Sequence, residues 1–182
     1  MYEKPLIAEV LVTEEEILAK CKELGAVLTK EYEKEPENLL IVGLLRGAVP
    51  FMSELVKRID LPVQYDFMAA SSYSGTESLG DIKILLDLHS SIIGKDVLLV
   101  EDIVDTGITI LHVKELLYNK GARSVKVVSL LDKPERREVD VEADWVGFTI
   151  PNKFVVGFGL DYDQLYRNIP YIAVLKPEVY TH

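Results

Sequence analysis

The residues best able to do chemistry gather in one segment, Val100-Glu101-Asp102-Ile103-Val104-Asp105-Thr106-Gly107-Ile108-Thr109. Glu101 and Asp102 follow the apolar run Leu98-Leu99-Val100, so a buried strand would deliver two adjacent carboxylates to one sheet edge, an expensive placement unless the acids are used. Asp105 to Thr109 reads as the opening of a helix. Its unpaired N–H groups, the positive end of its dipole, a Gly for close approach and the hydroxyls of Thr106 and Thr109 make a pocket suited to one phosphate group. An equally economical account is that Asp105 caps the helix while Glu101 and Asp102 are solvated loop acids. Neither the G-x-x-x-x-G-K-[ST] loop nor a dinucleotide fingerprint occurs. His89, His112 and His182 have no metal-ligand spacing and receive no function.

Positioning such a segment requires a sheet with helices packed on it, and the pattern supplies both. Thr13 followed by Glu16 is a capping-box signature, and Ile17, Leu18, Cys21, Leu24 and Leu28 then recur at helical spacing, predicting a helix to about Tyr32. Leu39 to Leu45 is a short continuous apolar run, the composition of a strand buried on both faces and hence of parallel pairing. The alternation continues with a helix near Pro50 to Arg58, strands around Pro62 to Met68, Ile82 to Leu88 and Asp96 to Val100, a helix from Thr106 to Asn119 and a strand from Ser124 to Leu131. Short β segments follow at Trp145 to Ile150, Phe154 to Phe158 and Tyr171 to Leu175. This order predicts an α/β fold, a doubly wound, mostly parallel sheet flanked by helices, with the later short strands forming a small β-rich hood. No repeat or linker-like stretch interrupts the pattern, so residues 1–182 read as a single domain.

Composition narrows the function classes. A hydrophobic fraction of 48% over 182 residues is enough for a real core. With 30 acidic against 20 basic side chains the net charge is -10, which argues against nucleic acid or a membrane surface as partner, and any anionic ligand must be held by local groups. The charged start Met1-Tyr2-Glu3-Lys4-Pro5 does not read as a signal peptide, and apolar runs such as Leu39 to Leu45 are far too short to span a bilayer. A lone Cys21 excludes an internal disulfide framework and fits a reducing compartment, so a cytoplasmic location is expected.

Four apolar residues, two acids, two apolar residues and Asp-Thr-Gly-x-Thr, the order from Val97 to Thr109, resembles the donor-binding motif of type I phosphoribosyltransferases. Leu44-Leu45-Arg46-Gly47, Ser71-Ser72-Tyr73, Leu131-Asp132-Lys133-Pro134, Pro151 to Gly157, Leu160-Asp161-Tyr162 and Tyr166-Arg167-Asn168 are similar, in order, to segments of the hypoxanthine-guanine branch. The resemblance covers about residues 10 to 179. It implies transfer of a 5-phosphoribosyl group from 5-phosphoribosyl 1-diphosphate (PRPP) to a 6-oxopurine, giving IMP or GMP and pyrophosphate, with Mg2+.

The roles implied by the resemblance divide along the chain. Glu101 and Asp102 would lie beside the ribose hydroxyls and support the metal, and Asp105, Thr106, Gly107, Ile108 and Thr109 would hold the 5-phosphate. Asp105 would also face N7 of the purine as general base or acid. Arg46, Gly47 and Arg167 would bind pyrophosphate, and Asp161 could ligate a second magnesium. Arg46 stands where Lys is more usual, which changes donor geometry. A nonproline cis peptide occurs at this loop in many members, and the sequence leaves Leu45–Arg46 open. Lys133 would donate to the 6-oxo group, Phe154 would stack on the ring, and backbone groups of Val155 and Asp161 would contact its edge. Read alone, Phe154-Val155-Val156 is more often plain core, and Lys133 could belong to a solvated charge cluster with Glu135, Arg136 and Arg137. Ser72 and Tyr73, which by the resemblance would close over the donor, lie in the small, polar stretch between Ala69 and Gly80, which reads as a lid or as an ordinary exposed loop. The family's habit suggests a homodimer or homotetramer. Two alternatives stay open: a nucleic-acid-binding regulator that senses the donor, disfavoured by the acidic balance, and an enzyme acting on xanthine or a pyrimidine.

Overall fold

Side chains alternate along the central strands, giving the sheet two apolar faces, and helices cover both. The computed structural model describes residues 6–72 and 82–180. In chain order the elements are β1 (Ile7–Val12), α1 (Glu14–Tyr32), β2 (Leu39–Leu44), α2 (Val49–Val56), β3 (Gln64–Ser72), β4 (Ile82–Leu86), β5 (Asp96–Val104), α3 (Ile108–Asn119), β6 (Ser124–Asp132), β7 (Trp145–Thr149), β8 (Val155–Val156), β9 (Ile172–Leu175) and α4 (Pro177–Tyr180). The predicted capping box is present: the Thr13 hydroxyl accepts from the Glu16 amide, and the Glu16 carboxylate accepts from the Thr13 amide at 2.8 Å.

The main sheet runs β4-β3-β2-β5-β6-β7. All neighbours pair in parallel except β4, which lies antiparallel on β3. Leu39 and Ile41 of β2 and Leu98 and Val100 of β5 face one core with Ile17, Leu28 and Phe51 from α1 and α2. Leu40 and Val42 of β2 and Val97 and Leu99 of β5 face a second core with Val113 and Leu117 of α3. Gly43 on β2 leaves the room that Met52 and Phe67 fill. The doubly wound, mostly parallel sheet is therefore as expected.

Three expectations are corrected. β5 continues through the acids to Val104, because Glu101, Ile103 and Val104 pair with Ser129, Leu131 and Asp132 of β6. β7 was expected in the hood but extends the main sheet, with Val128 opposite Trp145 and Leu131 opposite Phe148. The hood instead draws on β1, a strand the pattern did not announce, in the antiparallel order β1-β9-β8. Among the described residues no helix is long and apolar enough to cross a membrane.

Candidate active site

The site forms where the chain changes direction across the sheet. β2 leads through α2 to β3 on one side and β5 leads through α3 to β6 on the other, which opens a crevice at the C-terminal ends of β2 and β5. The turn after β2 closes on that crevice. Its Leu45–Arg46 peptide is cis, Leu45 N donates to Met68 O at 2.8 Å, and Gly47 is buried. Gly47 has no room for a side chain, since a Cβ there would coincide with Asp102 Oδ2. Gly159, at φ +101°, is equally tight against the Gly47 carbonyl.

Glu101 and Asp102 are not loop acids. Glu101 is 8% exposed within β5, and Asp102 is half-buried beside it. Burial pushes the pKa of both carboxyls up, that of Glu101 well above the usual range and that of Asp102 to about 6. The Asp102 charge adds to the shift on Glu101, while the Ile103 amide, at 2.8 Å, and the nearby Arg167 partly offset the shift on Asp102. The two carboxyls are neighbours on β5, so the charge of one bears on the protonation of the other.

Downstream, the chain turns sharply. Gly107 has φ +85°, the left-handed region that favours glycine, and it is the N-cap of α3 with no side-chain cap bond. The capping account of Asp105 is therefore set aside. Glu101, Asp105, Thr106, Gly107 and Thr109 line a cavity of about 90 Å³ at this helix start, with Ile108 alongside at the first helical position. Arg136 Nε donates to Asp105 Oδ1 at 3.0 Å, Arg137 donates to the Asp105 carbonyl at 2.5 Å and pairs with Asp132, and Glu138 N donates to Thr106 O at 3.0 Å. The segment after β6 thus clamps the loop. Arg136 and Arg137 had read as members of a solvated cluster, and only the adjacency of β6 to β5 reveals their target.

A second cavity of about 350 Å³ lies beside the first and shares Asp105 with it. Ile103, Lys133, Phe154, Val155 and Tyr180 complete the walls that matter for a ring-shaped ligand. Lys133 is 7% exposed, not a surface charge, and burial pushes its pKa down against the opposing pull of Asp105. Phe154 is 37% exposed and so is not a core residue.

Two cationic groups meet here, Arg46 from the turn after β2 and Arg167 from the segment between β8 and β9. Arg46 and Arg167 both donate to Gln164 Oε1, at 2.9 and 3.0 Å. Arg167 also pairs with Asp161 Oδ1 at 2.8 Å and donates to Gly159 O at 2.7 Å, while Gln164 N donates to Asp161 Oδ2 at 2.8 Å. Left-handed backbone at Phe158, Asp163, Gln164 and Tyr166 folds this loop tightly enough to do so. Gln164 has no sequence signature; only its tertiary bridge reveals it. Asp161 reaches the site already engaged on both oxygens. Ser72 ends β3 at the same edge, and Tyr73 lies outside the described residues. A larger cavity of about 440 Å³, bounded by Leu6, Leu165 and Tyr166, touches the site through Gln164 and Arg167 and has mainly apolar walls.

Residues 10–163 match the phosphoribosyl transferase domain family. The chain is 58% identical over 184 residues to the hypoxanthine-guanine phosphoribosyltransferase of Lactococcus lactis subsp. lactis (strain IL1403), covering 99% of each. It is 55% identical to the protein of that name from Staphylococcus aureus (strain Mu50 / ATCC 700699), covering 97% of this chain and 98% of the other. A crystal structure of a hypoxanthine phosphoribosyltransferase from Staphylococcus aureus superposes with a TM-score of 0.92 at 55% identity, covering 97% and 95% of the two chains. A family match that takes in the crevice from both sides, joined to relatives sharing more than half their residues from end to end, makes the chain a member of the phosphoribosyltransferase family, in its hypoxanthine-guanine branch.

Proposed function

We propose that the enzyme transfers the 5-phosphoribosyl group of PRPP to hypoxanthine or guanine in purine salvage, with residues 1–182 acting as a single phosphoribosyltransferase domain. The observation that carries this reading is the position of Asp105, which lines both the 90 Å³ cavity at the start of α3 and the 350 Å³ cavity that holds Lys133 and Phe154. A phosphate in the first and a purine in the second would bring the ribose C1 and the ring nitrogen together over the strand end, a gain of orientation the protein provides before any bond changes.

Backbone N–H groups from Thr106 to Thr109 and the two Thr hydroxyls would take the 5-phosphate. The purine nitrogen bonds to C1 as the C1–oxygen bond to pyrophosphate breaks, with inversion, and Asp105 receives the proton leaving N7. Arg46, the amides around Gly47 and Arg167 neutralise the departing pyrophosphate. Lys133 donates to the 6-oxo group and disfavours a 6-amino group, Phe154 carries the ring, and backbone groups of Val155 and Asp161 read its edge. Ser72 and Tyr73 would shield the activated sugar from water.

Glu101 and Asp102 suit a magnesium ion, because two hard oxygen donors with raised pKa values at the ribose end release their charge problem when a dication arrives. Bound there, Mg2+ would supply positive charge to the ribose hydroxyls and the diphosphate. Asp161 would serve a second ion once Arg167 turns to pyrophosphate. We also propose a cytoplasmic enzyme acting as a homodimer or homotetramer, which sedimentation velocity tests directly.

The test is a side-by-side assay of hypoxanthine, guanine, xanthine and uracil with PRPP and Mg2+. IMP and GMP are expected. If neither forms while xanthine or uracil is consumed, the base assignment is wrong.

A further inference from the structure

Phe154 stands at the centre of a three-ring cluster whose other two members, Tyr162 and Tyr180, have no role in the reaction as described. The Tyr180 ring stacks on it, with centroids 4.9 Å apart and planes at 23°, and Tyr162 meets it edge-on at 5.7 Å and 87°. Even with these two partners Phe154 remains 37% exposed, and it lines the cavity that also contains Asp105 and Lys133. Tyr180 stacks on one face of Phe154, Tyr162 meets its edge, and Phe154 and Tyr180 both line that cavity.

Tyr180 is held in place by more than its own packing. It sits on the short α4, whose Val179 N donates to Lys176 O at 3.0 Å, and Lys176 N in turn donates to Leu6 O of the hood at 2.9 Å. The Tyr162 hydroxyl donates to Val179 O at 2.9 Å, so the ring that meets the edge of Phe154 also pins the turn carrying the ring on its face. On the other side, Leu175 N donates to Phe154 O at 3.0 Å. Phe154 is therefore tied through its backbone to β9 and through its ring to α4.

We propose that Tyr180 is a positioning residue for the purine: it backs Phe154, fixing the ring as a flat shelf on which the base stacks, with Tyr162 locking the pair. The shelf matters because a lone, partly exposed phenyl ring rotates freely about its side-chain torsions, and a base landing on it must first immobilise it. A ring already stacked on Tyr180 and met at its edge by Tyr162 has lost much of that freedom before the base arrives. Tyr180 lines the cavity of Phe154 and Lys133 and not the one at the start of α3, so its effect belongs to base binding alone.

This inference rests on the purine reading above, and the experiment separates the two. Tyr180→Ala, Tyr180→Phe and Tyr162→Phe are compared with the unaltered enzyme by steady-state kinetics, varying hypoxanthine at saturating PRPP and PRPP at saturating hypoxanthine, with thermal unfolding run in parallel. Tyr180→Ala is expected to raise the KM for hypoxanthine about two- to tenfold, the range one offset aromatic pair is worth. The KM for PRPP and kcat should move less than twofold. Tyr180→Phe keeps the stack and should restore the KM for hypoxanthine, whereas Tyr162→Phe, which frees the turn, should raise it in part. Should Tyr180→Ala fail to fold, Tyr180→Leu fills the space without a stacking face and is expected to behave as Ala does.

The proposal is overturned if a folded Tyr180→Ala enzyme keeps the KM for hypoxanthine within twofold. It is also overturned if that KM falls, since Tyr180 would then occupy the place of the base, or if the KM for PRPP rises equally. If the unaltered enzyme forms neither IMP nor GMP, the functional reading fails first. A normal enzyme with an indifferent Tyr180→Ala sinks this inference alone.

Discussion

Replacing Asp102 by Asn should make the enzyme more stable and much less active. The Asp102 carboxyl titrates at about 6 instead of 3.8 because it is buried beside Glu101. A raised acid pKa means that the native state holds its proton more tightly than the unfolded chain does. Stability is therefore fully present below the unfolded value and is lost as pH rises through about 6. A shift of that size corresponds to roughly 3 kcal/mol at neutral pH, an upper figure because Asp102 is partly exposed. Asn has nearly the same shape, keeps an oxygen for the Ile103 amide and carries no charge to desolvate. At pH 7.5 without Mg2+ or donor, D102N should unfold at a higher temperature, with each kcal/mol worth about 2–4 °C for a chain of this size. Its unfolding temperature should also change less between pH 5 and 7.5 than that of the unaltered enzyme, which should fall. Differential scanning calorimetry at both pH values, with kcat/KM for PRPP measured alongside, reads all three quantities. The reasoning is refuted if D102N is less stable at pH 7.5, or if the unaltered enzyme gains stability from pH 5 to 7.5.

Further outcomes follow from the same geometry. G47A drives a methyl group into Asp102 Oδ2, and overpacking of this kind costs about 1–3 kcal/mol, so both the unfolding temperature and kcat/KM for PRPP should fall. Lys133→Gln removes a buried cation opposite the 6-position; kcat/KM for hypoxanthine should drop about ten- to a hundredfold, as for loss of a hydrogen bond to a charged group, and the ratio of hypoxanthine to adenine activity should shrink. Asp105→Asn should lower kcat by about 10²–10⁴ while PRPP binding, followed by calorimetric titration, changes only a few-fold; equal turnover would remove its proton-transfer role.

Much of this architecture is legible in the sequence. Thr13 and Glu16 announced α1 because a capping box is a purely local device, and Leu39 to Leu44 announced β2 because a strand buried on both faces must be apolar throughout. What escaped depended on distant partners. The last four residues of β5 carry two acids and look like a loop until β6 pairs with them. β1 has mostly exposed or half-buried side chains, so its alternation is too faint to read without β9 beside it. At the site, the chemistry-bearing side chains were visible as types in order, whereas Gln164, Arg136, Arg137 and Tyr180 act through contacts that no spacing encodes.

The hood is stitched from opposite ends of the chain, since β1 pairs with β9 and β9 with β8. During synthesis the Glu101–Asp102 pair and the loop at Gly107 can assemble on a sheet whose strands are already translated, but the hood cannot close until β9 is made. Closing so long a loop is entropically slow relative to local contacts. A nascent chain should therefore complete its sheet first and the floor under Phe154 last, so premature termination near Lys176 would leave an intact crevice without the aromatic turn that completes the second cavity.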